Sequence, residues 1–215
     1  MAKGKAMEIG KPFDFSKTNA PLPSLTISER VGKSKTVFSL GKKTSISKES
    51  YPYPSLYIGL SGCGALLKDE EIPLPQGDCY LSEKEELLGK EAKEGFVYLE
   101  WLLEKETKMN ELLSKGKAFA LKDALPYQEG KIVNLTLMEN SSSQLAVIAM
   151  SKGTELTAHK APGEALLLIL DGEGTITYEG KDNHVKAGDS FAFAKNGLHA
   201  VKALTDFKFA LLLEF

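Results

Sequence analysis

From about Gly130 onward, apolar residues come in short bursts, alternating or continuous, broken every few positions by turn residues. "KIVNLTLME", "QLAVIAMS", "EALLLILDG", "GTITYEG", "HVKAGDSFAFA" and "FKFALLLEF" each read as a strand, with "SKG", "APG", "DGEG", "EGKD" and "KNG" between or beside them. Many short strands at such spacing predict an all-β sandwich or barrel.

The first half repeats the layout. "LTISERVGKSKTVFSLGK" from Leu25 lies on "LTLMENSSSQLAVIAMSK" from Leu135 at an offset of 110, with Thr26 on Thr136 and Phe38 on Ile148. "LSGCG" ending at Gly64 falls on "LDGEG" ending at Gly174 at that offset, while Gly77 on Gly188 and Phe96 on Phe207 are 111 apart. Offsets this constant over about seventy positions identify a tandem duplication.

Between the copies, Glu104 to Lys115 has helical propensity and apolar residues at Met109, Leu112 and Leu113, with Gly116 placed to stop a helix. The expected organisation is an N-terminal tail or arm (1–22), a first barrel (23–103), a helical linker (104–117) and a second barrel (118–215). The charged run Ser82 to Gly95 reads as a helical turn or a loop.

Composition narrows the function classes. Hydrophobic content of 42% and charged content of 26% are ordinary for a globular chain. A net charge of -2, with lysines and glutamates interspersed, gives no basic face for nucleic acid. The longest apolar run, "ALLLIL", is far short of the roughly 20 residues a bilayer requires. The N-terminus lacks the apolar segment of a secretory signal, and its simplest reading is a frayed tail. Cys63 and Cys79 are too few for a disulfide framework and lack zinc spacing, so a reducing cytoplasm is the expected home.

The residues resemble the cupin superfamily, small antiparallel jelly-roll barrels. The first motif of that family has a glycine, five residues, His-x-His, a glutamate and a further glycine. Here Gly153 precedes His159 at that spacing, Ala161 stands for the second histidine, Ala165 for the glutamate, and Gly172 closes the motif. In the second motif Gly188, Ala194, Asn196 and His199 hold the places of glycine, the Pro-x-Gly turn and the last histidine. In the first copy Glu49, Tyr51, Ser55 and Leu88 fall opposite His159, Ala161, Ala165 and His199, so no ligand set survives there. The resemblance implies tandem double-stranded β-helix barrels, a bicupin, most similar to conserved-barrel cupins in which "H-x-A-P" replaces the double histidine.

Strand parity places His159, Ala161, Ala165, Leu167 and Ile169 on one face, the lumen in a metal-binding cupin, with His199 approaching across the barrel mouth. Three uses follow. His159 and His199 hold one divalent transition metal (Zn, Ni, Fe or Cu) with a third donor such as Gln144, Met150 or Glu155. Or both are hydrogen-bonded pocket residues inherited from a metalloenzyme. Or the two alanines open an apolar pocket, lined by His159, Ala161, Ala165, Leu167 and His199, for a small molecule. The third is the expected function, and a metal-dependent dioxygenase or isomerase acting on a small polar substrate is the alternative. Whether the chain is an enzyme stays open, as does a role of the two histidines as acid and base. His184 reads as surface, Tyr51 and Tyr53 as packing, Cys63 and Cys79 as buried thiols, and Trp101 as core or interface. Homodimerisation through edge strands is expected, with no nucleic-acid or membrane partner.

Overall fold

A computed structural model describes residues 7–215 and divides them into two compact units. The chain is all-β, and the only helices among the described residues are single turns at Phe15–Thr18 and Leu121–Asp123.

The C-terminal unit comprises Met7–Asp14, Lys108–Leu112 and Leu121–Phe215. Seven strands form one sheet in the order Pro12–Phe13, Ser190–Phe193, Glu164–Asp171, Phe207–Glu214, Ser143–Met150, Ile132–Glu139 and Lys108–Met109. Four more form a second sheet in the order Glu155–Lys160, Leu198–Ala203, Glu173–Tyr178 and Lys181–Lys186. Alternate residues of both sheets meet in one core: Ile148, Met150, Leu167, Ile169, Phe207 and Phe209 from the larger, Ile176, Val185 and Val201 from the smaller. On the larger sheet the intervening Leu166, Leu168, Ala210 and Leu212 are buried too. That is why "EALLLILD" is continuous rather than alternating.

The N-terminal unit comprises, among described residues, Phe15–Thr107 and Leu113–Ala120. Its sheet runs Ala118–Ala120, Asp78–Leu81, Ser55–Leu67, Phe96–Leu102, Lys35–Leu40 and Thr26–Arg30, and the long strand Ser55–Leu67 also carries Glu71–Pro75 and Leu88–Ala92, the latter paired with Thr44–Glu49. Leu40, Tyr57, Leu66, Leu74, Tyr80, Leu88, Phe96 and Tyr98 make its core.

The duplication holds at the level of register. His159 pairs with His199 after a bulge that follows the Leu156–Val201 pair, and Glu49 pairs with Leu88 after a bulge that follows Ile46–Lys90. Leu167 opposite Leu211 is matched by Tyr57 opposite Glu100.

The linker does not form the helix expected from Glu104 to Lys115. Lys108–Met109 pairs with Met138–Glu139 and Ala118–Ala120 with Asp78–Tyr80, so the segment extends a sheet edge in each unit. A lone helix of about twelve residues is marginal, and here local bonds compete with it: Asn110 Oδ1 accepts the Leu112 amide at 3.0 Å and Thr107 Oγ1 donates to the Glu104 carbonyl at 2.8 Å. The run from Ser82 to Gly95 contains a strand, Leu88–Ala92. At the N-terminus, residues 1–6 lie outside the described residues, whereas Pro12–Phe13 pairs with Ser190–Phe191 and Ile9 bridges Ala192. This stretch is an arm on the C-terminal unit, not a frayed tail.

Candidate functional site

His159 lies near the end of the strand Glu155–Lys160, and His199 near the start of Leu198–Ala203. The extra residue between Leu156 and His159 keeps the histidine on the same face as its register partner His199 and as core Val201. His159 is exposed, while His199 beside it is 8% exposed. The two do not face each other across the mouth: they are register partners on adjacent strands, their ring centroids 4.2 Å apart and tilted by 54°.

Both rings are anchored in the same way. His159 Nδ1 donates to the Thr157 carbonyl at 2.8 Å, and His199 Nδ1 donates to the Gly197 carbonyl at 3.1 Å. A carbonyl oxygen can only accept, so each neutral ring keeps its proton on Nδ1 and carries a lone pair on Nε2. Burial lowers the His199 pKa from its ordinary value; the Gly197 bond opposes this, and neighbouring His159 adds to it.

An aromatic wall backs the pair. The Phe193 ring stacks on His199 at 4.1 Å and 22°, Tyr178 stacks on Phe193 at 5.5 Å, and Phe191 meets Phe193 at 5.1 Å. The turn that delivers His199 holds Asn196 at φ 65°, a left-handed conformation that asparagine tolerates and glycine more usually supplies. Gly197 follows it, and a Cβ there would stand 2.6 Å from the Tyr178 ring, so only glycine lets the turn lie against the wall.

Ala161, Ala165, Leu167 and Ile169 do share a buried cluster, as parity predicts, but Phe191, Phe193, Phe207, Phe209 and Leu213 pack in the same cluster. His159 alone of the five stands at the surface. The place where a small molecule can touch the histidines is thus the mouth rather than the depth of the barrel. A cavity of about 640 Å³ is present in the N-terminal unit against Asn19, Leu22, Ile27, Arg30 and Ser39, far in sequence from either histidine.

The donor set does not fit a resident catalytic metal. Catalytic zinc sites use three protein ligands and structural ones four. Among the described residues no group of three or more His, Cys, Asp or Glu could hold an ion. Nor do the third donors considered fill the gap. Gln144 Nε2 donates to Thr136 Oγ1 at 3.3 Å, Met150 is packed in the core, and exposed Glu155 pairs with Lys202, four residues up the strand from His159.

Other sequence expectations divide. His184 is at the surface, 3.2 Å from Glu173, and Trp101 is core, 0% exposed. Cys79 is buried, but Cys63 is exposed, because the register shift between Gly59 and Ser61 and the positive φ of Gly62 rotate the strand there. Tyr53 is exposed rather than packed, and Tyr51 bonds to carboxylates through its hydroxyl. Sequence reasoning missed Phe193 and Tyr178 as partners of the histidines. The signal available was weak: Phe193 lies six residues before His199, across a turn whose hand the sequence did not specify.

Residues 146–213 match the family model of the cupin domain. A conserved-barrel protein described as Cupin 2 from Leptotrichia buccalis superposes with a TM-score of 0.80 at 28% identity, covering 97% of this chain and 98% of that one. The C-terminal copy thus carries a cupin domain, and the chain shares the fold of a conserved-barrel cupin protein along nearly its whole length. The chain also shares its fold with salicylate 1,2-dioxygenase from Pseudoaminobacter salicylatoxidans in adducts with gentisate (TM-score 0.62, 10% identity, 93% of this chain and 76% of that one). AerE from Microcystis aeruginosa matches at a TM-score of 0.50 and 14% identity, over 89% of this chain and 97% of that one. At such identities the likeness is one of fold alone. No curated protein matches the sequence. Among the described residues no helix is long and apolar enough to cross a membrane.

Proposed function

We propose that this chain is a small-molecule binding protein whose C-terminal barrel takes its ligand at the mouth, on His159 and His199. The observation that carries this reading is the anchored histidine pair. Two neighbouring imidazoles, each with Nδ1 tied to a backbone carbonyl, offer two Nε2 lone pairs beside a stacked aromatic wall. That geometry suits a flat or partly apolar molecule that donates hydrogen bonds from a hydroxyl or N–H group. The protein works as a homodimer in a reducing cytoplasm in this reading.

The alternative, a metal-dependent enzyme of dioxygenase or isomerase type, has one observation in its favour. A backbone carbonyl accepting from Nδ1 is the usual support of a metal-ligating Nε2. The alternative lacks a third His, Cys, Asp or Glu donor among the described residues.

Protein purified without chelator or affinity tag, examined by elemental analysis and native mass spectrometry, separates the two. The expected result is a substoichiometric metal content and a copurified small molecule that is lost in His159→Ala. Stoichiometric iron, nickel, zinc or copper that disappears in His159→Ala would overturn the binding reading.

A further inference from the structure

The N-terminal barrel contains a buried charged cluster. Lys90, on Leu88–Ala92, is 1% exposed, and Glu100, on Phe96–Leu102, is 4% exposed. Lys90 Nζ stands 3.4 Å from Glu100 Oε2 and 3.9 Å from Glu49 Oε2. It lies 5.2 Å from the centroid of the Tyr57 ring and 5.9 Å from that of Tyr51. The Tyr51 hydroxyl donates to Glu100 Oε1 at 3.2 Å and is 3.4 Å from Glu49 Oε2. Burial, then the charges of Glu100 and Glu49, hold the Tyr51 hydroxyl well above its ordinary pKa, so it stays a proton donor.

Two features argue against a purely structural role. First, the sister barrel closes without such charges. The offsets that align the two copies place Tyr57, Lys90, Tyr98 and Glu100 on Leu167, Val201, Phe209 and Leu211, and these pack in or against the apolar core. Replacing a buried ion pair by apolar residues is commonly neutral or stabilising, so barrel closure does not require the charges. Second, the cluster is incompletely bonded. Its ammonium-to-carboxylate distances exceed the ~2.7–2.9 Å of a charge-assisted hydrogen bond. Glu100 Oε2 and the Tyr98 hydroxyl are buried without a hydrogen-bond partner. An orphan carboxylate oxygen next to an under-bonded ammonium is the complement of one group that both accepts and donates.

Charge decides what carries that group. Lys90 with Glu100 and Glu49 sums to one negative charge, so an incoming carboxylate meets repulsion and an incoming amine meets the ammonium. A neutral hydroxyl accepts from Lys90 Nζ and donates to Glu100 Oε2, and a second hydroxyl satisfies Tyr98. The rings of Tyr51 and Tyr57 supply apolar faces. Glu49, with its side chain 53% exposed, and half-buried Tyr51 are the outermost members, the ones an entering molecule displaces.

We propose that the N-terminal barrel is a second ligand site, with Lys90, Glu100 and Tyr98 binding the hydroxyl groups of a neutral polyhydroxylated small molecule between Tyr51 and Tyr57. The test is calorimetric titration of the full chain, with the fluorescence of its one tryptophan, buried Trp101 of the same barrel, as a second readout. The probes are D-glucose, D-mannose and myo-inositol, with D-gluconate and D-glucosamine as charged controls. At least one neutral probe is expected to saturate, and to bind at least about tenfold more weakly to Glu100→Gln and Lys90→Met, each of which removes a hydrogen bond to a charged group. Glu71→Gln, an exposed carboxylate paired with Lys93 in the same barrel, leaves binding unchanged. Circular dichroism establishes folding, and if Lys90→Met does not fold, the near-isosteric Glu100→Gln decides. No saturation by any neutral probe, tighter binding of a charged control, or binding retained in Glu100→Gln would each overturn the proposal.

Discussion

At the paired positions 57 and 100 the N-terminal barrel carries tyrosine and glutamate, and at the matching pair 167 and 211 the C-terminal barrel carries two leucines. At 90 and 98 it has lysine and tyrosine, against valine and phenylalanine at 201 and 209. The strand register around them is the same, down to the bulge before Glu49 and before His159. Backbone hydrogen bonds and the apolar residues common to both copies therefore suffice to close a barrel, and the interior is free to differ. One barrel has moved its polar groups inward; the other has filled with aromatic rings and kept two histidines at the rim.

The widest difference between the barrels should appear on removing half of the buried pair. Glu100→Ala leaves buried Lys90 with only the more distant, half-exposed Glu49 as counter-charge and should destabilise the N-terminal unit by about 3 kcal/mol, whereas Lys90→Val with Glu100→Leu, which copies the sister barrel, should be neutral or stabilising. Urea unfolding followed by thiol labelling of Cys79 measures this, since that side chain is fully buried and its thiol is pushed up to about 12 by burial, with a smaller contribution from Asp78. Equal losses in the single and double variants would mean the charges are needed to close the barrel after all.

A smaller effect tests how full the C-terminal lumen is. Ala161 is 1% exposed within the aromatic core, so Ala161→His, which restores the family's histidine, should cost about 1–3 kcal/mol through overpacking. Thermal unfolding reads it. An unchanged midpoint would mean that the lumen has room for an imidazole and its ligand.

The mildest contrast is in pH dependence. Burial lowers the folded-state pKa of His199, so below the unfolded value of about 6.5 the unfolded chain binds more protons than the folded one. The stability gained from a neutral His199 is full above that pH and declines as pH falls through the folded-state pKa. His199→Phe should flatten this part of the stability profile of the C-terminal unit, and a profile that keeps its slope would assign the dependence to another group.

Much of this was legible in the sequence because strand alternation and repeat offset are properties of order along the chain. The offsets of 110 and 111 put Glu49 on His159 and Leu88 on His199, and the structure pairs the two sets in matching register. The linker was misread because Met109, Leu112 and Leu113 suit a helix equally well when the backbone is spent on sheet edges, and edges are formed by residues far away in sequence. Alternation counted from Ala161 places His159 on the face of its partner His199, but its exposure depends on what covers that end of the sheet, which alternation does not report. Lys90 and Glu100 were overlooked for the opposite reason: charged residues in strands read as solvent-facing, and only closure of the barrel buries them together.

The sequence by itself determined the all-β class, the duplication and the loss of the usual histidine and glutamate at Ala161 and Ala165, since each is a matter of residue type and spacing. Tertiary structure decided that the histidines stand side by side at a mouth, that aromatic rings occupy the lumen behind them, and that the other barrel encloses an ammonium between carboxylates. Those are outcomes of which strands become neighbours and where one extra residue shifts the register, and hydrophobic periodicity is blind to both.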